Sequence, residues 1–143
     1  MVILDTNVVS EMLKEAAHPA VFAWLDAQSP ESVFTTAITQ AEIKYGIAIM
    51  PDGKRKSLLL TAATLLFEED FEGRVLPFDA TAADAYAAIG AQRRALGQPI
   101  TEADVQIAAI TQSRGGQIAT RNVSDFFNCG IDVINPWDAD KTA

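Results

Sequence analysis

Asp5 stands directly behind the first apolar run of the chain, Val2-Ile3-Leu4. A carboxylate at the exit of a buried N-terminal strand is held rigidly and points into the crevice at the strand's carboxyl end, where sites of parallel sheets lie. Glu42 and Asp104 are the next candidates, each near the start of a segment with helical pattern, and Asp125 follows Thr120-Arg121-Asn122-Val123-Ser124. Carboxylates brought to one rim favour hard divalent cations with oxygen ligands, Mg²⁺ or Mn²⁺. Each acid also has a structural alternative. Asp5 can cap the helix that follows it. Thr39-Gln40-Ala41-Glu42 fits a capping box, and Thr101-Glu102-Ala103-Asp104 fits its looser form. Asp104 precedes Val105-Gln106-Ile107-Ala108-Ala109-Ile110, which is apolar over most of a helical circumference and therefore buried. A buried acid needs a partner, and a metal ion is a reasonable one.

Other chemistries have little to work with. The lone histidine, His18, precedes Pro19 in a loop pattern, and the lone Cys129 excludes an internal disulfide and reads as a small buried hydrophobe. No G-x-S-x-G, P-loop or G-x-G-x-x-G occurs. The chain of 143 residues, 49% hydrophobic and 21% charged, suits one globular domain in a reducing compartment. No signal peptide or membrane-spanning run is visible, so a cytoplasmic location is expected. The formal net charge of −8 argues against a broad basic face for nucleic acid, though bound cations would offset a carboxylate cluster.

The elements that must position these acids alternate. Strands are expected at Val2-Leu4, Ser32-Thr36, Val75-Phe78 (an edge, given Pro77), Gln117-Thr120 and Ile131-Ile134. Helices are expected from Thr6 to Leu13, Pro19 to Ala27, Thr39 to Met50, Lys54 to Phe71, Thr81 to Leu96 and Thr101 to Ser113, with a short one at Val123-Phe127. In the fourth of these, Leu58, Leu59, Ala62, Leu65 and Leu66 are expected to share the buried face. Asp79 is expected to cap the next. Strands spaced by helices give an α/β fold, a mainly parallel sheet covered on both faces. Residues 1–136 form the domain, and 137–143 read as a flexible polar tail.

Taken in order, these segments resemble a known family. Val2-Ile3-Leu4-Asp5-Thr6-Asn7, Glu42 in a helix after a strand, Asp104 before Ile107-Ala108-Ala109, and Thr120-Arg121-Asn122-Val123-Ser124-Asp125-Phe126 look like PIN-domain proteins. The closing Gly130-Ile131-Asp132-Val133-Ile134-Asn135-Pro136 resembles the FitB-like branch of VapC toxins. The resemblance implies a three-layer fold around about five parallel strands. It implies the toxin of a type II toxin–antitoxin pair: a Mg²⁺- or Mn²⁺-dependent endoribonuclease, usually homodimeric, inhibited by a VapB-like antitoxin. By the same resemblance Asp5, Glu42 and Asp104 are the metal-binding acids, and Thr6, Asn7 and Thr120 are polar support around the first. Some members carry Asp where Asn122 stands here, which leaves Asp125 as the nearby acid for the fourth catalytic position.

In that reading the carboxylates hold one or two ions, which activate a water for attack on an RNA phosphodiester. Arg93-Arg94 or Lys54-Arg55-Lys56 could guide the RNA backbone, or simply be solvated charges. Three rivals remain. A PIN-like fold could act mainly by binding a partner protein. The same carboxylates could cut DNA. A receiver-like phosphoacceptor would need a late-strand lysine, and none occurs between Lys56 and Lys141.

Overall fold

In a computed structural model that describes residues 1–141, the strands form one parallel sheet. In chain order the elements are β1 (Val2–Leu4), α1 (Thr6–Met12), α2 (Pro19–Asp26), β2 (Val33–Thr36), α3 (Ala37–Ala48), α4 (Lys54–Leu65), β3 (Val75–Leu76), α5 (Ala80–Ala95), α6 (Glu102–Ser113), β4 (Gln117–Ala119) and β5 (Val133–Ile134). The spatial order is β3-β2-β1-β4-β5, with every pair parallel. Ile3 is registered against Phe34 on one side and Ile118 on the other. Pro77 follows the edge strand β3, where its missing N–H harms no ladder.

Side chains alternate across the central strand and split the core in two. Val2 and Leu4 pack with Val8, Val9, Val21, Ile43, Ile47, Ala63 and Phe67 on one face. Ile3 packs with Ile89, Ile107, Ala108, Ile110, Ile118 and Phe126 on the other. The three-layer reading therefore holds, with α1 to α4 contributing to one layer and α5 and α6 to the second. Ile3 and Leu4 have no exposed surface, and burying a side chain of this size contributes about 1.5–3 kcal/mol. The chain leaves β1 toward β2 and β3, then crosses back to place β4 on the other side of β1. The gap between the carboxyl ends of β1 and β4 is thus a topological switch, where a parallel sheet opens a crevice.

Two expectations need correction. Helix α3 starts at Ala37, capped by the Thr36 hydroxyl on Thr39 N at 3.1 Å, because the strand runs straight into it. The long fourth helix gives way after Leu65 to a π-helical turn, Leu66–Asp70, closed by Phe71 N on Leu66 O at 2.9 Å. Its buried face is Ala63, Leu66 and Phe67, while Leu58 and Leu65 are about half exposed; the run Leu58-Leu59-Leu60 leaves the helical phase open in sequence. At the C-terminal end, Pro136–Lys141 form a 3-10 helix. Pro136 is buried and Trp137 packs on the same apolar cluster as Trp24 and Leu25, which anchors the segment. Residues 142 and 143 of the expected tail lie outside the described residues. Among the described residues no helix is long and apolar enough to cross a membrane.

Candidate active site

Asp5 sits where the switch predicts, its N–H still in the sheet through a 2.9 Å bond to Ala119 O. Asp5 is 5% exposed, and both of its carboxylate oxygens accept hydrogen bonds. Oδ1 accepts from Thr6 N at 2.8 Å, so Asp5 does cap α1. Oδ2 accepts from the Thr120 hydroxyl at 2.7 Å and, at 3.3 Å, from Asn7 Nδ2. Thr120, wholly buried at the end of β4, also accepts from Asn7 Nδ2 and Asn122 N, which fixes its one proton on Asp5. Asn7 Oδ1 takes the N–H of Arg121 at 3.1 Å. The two strand exits are therefore laced together through Asp5, Asn7 and Thr120.

Glu42 is not the acid of a capping box. With the cap at Thr36, it lies further along α3, and its Oε1 accepts from the Thr6 hydroxyl at 2.8 Å. Since that hydroxyl has one proton, the 3.1 Å contact between Thr6 and Thr39 must be donated by Thr39. Glu42 is thus tied through Thr6 to the residue beside Asp5. Asp104 keeps its capping partner: Thr101 Oγ1 accepts from Asp104 N at 3.2 Å. The carboxyl of Asp104 is nonetheless half-buried beside other acids.

Electrostatics binds the group together. Burial pushes the Asp5 carboxyl up to about 6, against the pull of its Thr120 and Thr6 hydrogen bonds, with the charges of Asp104 and Glu42 adding to the rise. Burial also raises Asp104, opposed by Thr101 and assisted by the charges of Asp125 and Glu42. Among the described residues no Lys, Arg or His forms a salt bridge with Asp5, Glu42, Asp104 or Asp125. A deeply buried acid among like charges, lacking a cationic partner, is the donor chemistry that a divalent ion satisfies. No three His, Cys, Asp or Glu side chains among the described residues converge as a ready-made metal cage.

A cleft of about 450 Å³ is lined by Asp5, Thr6, Asn7, Glu42, Asp104 and Asn122. Of the candidates, Thr120 lies beneath this lining, holding Asp5. Asp125, in the 3-10 turn Val123–Phe126, is outside the lining but close enough to act on Asp104. The cleft also holds Ser10, Glu11, Lys14, Arg121 and Trp137, which the residue types and spacing alone did not single out. Helical spacing could have found Ser10 and Glu11, which stand one turn beyond Asn7 on α1, whereas Lys14 lies past the end of that helix. Glu11 is 7% exposed, its carboxyl held low first by Lys14, whose Nζ lies 2.6 Å away, and also bonded by His18 N.

Several other expectations resolve as structural roles. Arg93 is buried, donating to the carbonyls of Gln98, Pro99 and Phe127, so it cannot guide RNA. Asp79 caps α5 on Ala82 N, and the His18 ring nitrogen caps α2 on Ala20 N. Cys129 is buried, its thiol pushed up by burial.

Residues 2–127 match the model of the PIN domain. The chain is similar to "VapC ribonuclease Y4jK" of Sinorhizobium fredii, 44% identical over 138 residues that cover 96% of this chain and 99% of the relative. It is also similar to "Toxin FitB" of Neisseria gonorrhoeae, 39% identical with 96% and 99% covered. Among solved structures, FitAcB from Neisseria gonorrhoeae superimposes with a TM-score of 0.86 at 38% identity, covering 96% of this chain and 99% of that one.

Proposed function

The chain belongs to the PIN-domain family, and from that premise we propose that it is a divalent-metal-dependent endoribonuclease, the toxin of a type II toxin–antitoxin pair. The observation that carries the reading is Asp5: a buried carboxylate at the β1–β4 switch, flanked by Glu42 and Asp104 in one cleft and lacking any cationic side chain as a salt-bridge partner among the described residues. The relatives named as a ribonuclease and a toxin match over almost the whole chain, which supports the same assignment. The cell compartment is the cytoplasm, the working form a homodimer, and the inhibitor a VapB-like antitoxin.

Asp5, Asp104 and Glu42 would hold Mg²⁺ or Mn²⁺, and a bound ion supplies an activated water and neutralises charge at the phosphoryl group. The chain's own work is to fix the acids. Thr120 and Asn7 donate to Asp5 Oδ2 and set its rotamer. Thr6 positions Glu42. Asp125 keeps the field around Asp104 negative, and Asn122 lies at the rim, available to the substrate. The test is Asp5→Asn: Mg²⁺-dependent RNA cleavage is lost while the far-ultraviolet circular dichroism stays that of the parent. A variant that cuts as fast as the parent overturns the assignment. The partner arm is tested by copurification of a small protein when the chain is expressed with its neighbouring reading frame.

A further inference from the structure

The chain carries 11 Lys and Arg against 19 Asp and Glu, so any grip on RNA must come from few cations. Four of them are committed elsewhere. Arg93 and Arg74 are engaged by backbone carbonyls, Arg114 faces Asp79, and Lys56 pairs with Asp52 and Ala48 O. Arg94 lines a different cavity, between α5 and α6. Among the described residues, only Lys14 and Arg121 line the carboxylate cleft as cations.

Both are held in place. The Arg121 guanidinium lies over the Trp137 ring, 5.2 Å from its centroid, and its backbone N–H is bonded to Asn7, the near neighbour of Asp5. A guanidinium on an aromatic face loses little of its charge to the contact and less freedom on binding a phosphate. Among the described residues it makes no salt bridge. Lys14 is braced by the buried Glu11. Resting on the ribonuclease reading above, we propose that Arg121 and Lys14 contact the RNA phosphates next to the one that meets the carboxylates, with Trp137 as the positioning residue for Arg121. The 3-10 helix Pro136–Lys141 then serves the site directly, because it delivers the Trp137 ring under Arg121.

The test uses the full chain in an Asp5→Asn background, which cannot cut, with a fluorescein-labelled single-stranded oligoribonucleotide in EDTA. Binding is followed by anisotropy across a NaCl series. Each lost phosphate contact lowers the slope of log affinity against log salt by about 0.7 for single strands. Arg121→Ala and Lys14→Ala each lower the slope by about that amount, Arg121→Lys restores it, and Arg94→Ala leaves it unchanged. Trp137→Leu weakens binding in the presence of Arg121 but has no further effect with Arg121→Ala, which a merely structural ring would not do. If the Arg121 and Lys14 variants keep the parental slope while the parent binds RNA, this inference falls and the ribonuclease reading stands. If the parent binds no RNA at any salt, that reading falls with it.

Discussion

Replacing Asp5 by Asn should change the pH dependence of stability by a definite amount. The native carboxyl titrates at about 6, against 3.8 for an unperturbed Asp. An acid raised by folding contributes stability that is fully present below 3.8 and is lost as pH rises through 6, because the native state resists the charge that the unfolded chain accepts. At 1.36 kcal/mol per tenfold, that displacement is worth about 3 kcal/mol. The amide of the variant cannot titrate, and it also alters the bonds to Thr120, Asn7 and Thr6. That second effect is a constant offset, so the difference between parent and variant, taken across pH, isolates the carboxyl. Urea denaturation in EDTA at intervals from about pH 3.5 to 8 should show Asp5→Asn gaining about 3 kcal/mol relative to the parent, with most of the gain between pH 4 and 6.5. Adding Mg²⁺ above pH 6.5 should recover stability in the parent and not in the variant. A difference that stays flat with pH would refute the idea that burial and like charges strain this carboxylate.

The same proton competes with a cation. Mn²⁺ affinity, measured by calorimetry, should fall about tenfold per pH unit below 6, since the ion needs the deprotonated acid; an affinity independent of pH would remove Asp5 from the ligand set. Thr120→Val deletes the shortest hydrogen bond to Asp5 and orphans the donors of Asn7 and Asn122. It should cost about 1–3 kcal/mol in denaturant melts and push the Asp5 transition to higher pH. Arg93→Ala should destabilise by about 3 kcal/mol or more, because three carbonyls lose a charged donor in a buried place. Cleavage per folded molecule should be unchanged, and a loss of activity without loss of stability would return Arg93 to the substrate path.

Much of this arrangement is legible in the residues. The apolar run before Asp5 and the alternation of strand and helix patterns suffice for a parallel sheet and for the rim at which its acids gather. What escapes is phase and distance. The hydroxyl at Thr36 and that at Thr39 are equally plausible caps by type; only the direct junction of β2 with α3 decides for Thr36, and this removes Glu42 from its box and turns it toward Thr6. Arg93 looks like a solvent charge beside Arg94, yet its helical phase places it inward, where the loop carbonyls after α5 need donors. Trp137 carries no local signal at all, since the apolar cluster it packs against is built mainly from residues 2–71.

The cap and ligand readings of Asp5, which compete when taken from sequence, are compatible once its lone pairs are counted. An ionised carboxylate offers about four acceptor sites. Thr6 N takes one on Oδ1, and Thr120 and Asn7 share Oδ2. One site on Oδ1 is left, on a residue that lines the cleft. Capping orients the carboxylate, the strand exit buries it, and the hydroxyl of Thr120 keeps its charge from being extinguished by that burial. Glu42 and Asp104 repeat the logic less completely: each has one engaged oxygen or a neighbouring cap and more exposure. Affinity for a cation should therefore depend most on Asp5, and the two outer acids should tune it. This ranking follows from burial and hydrogen-bond supply alone.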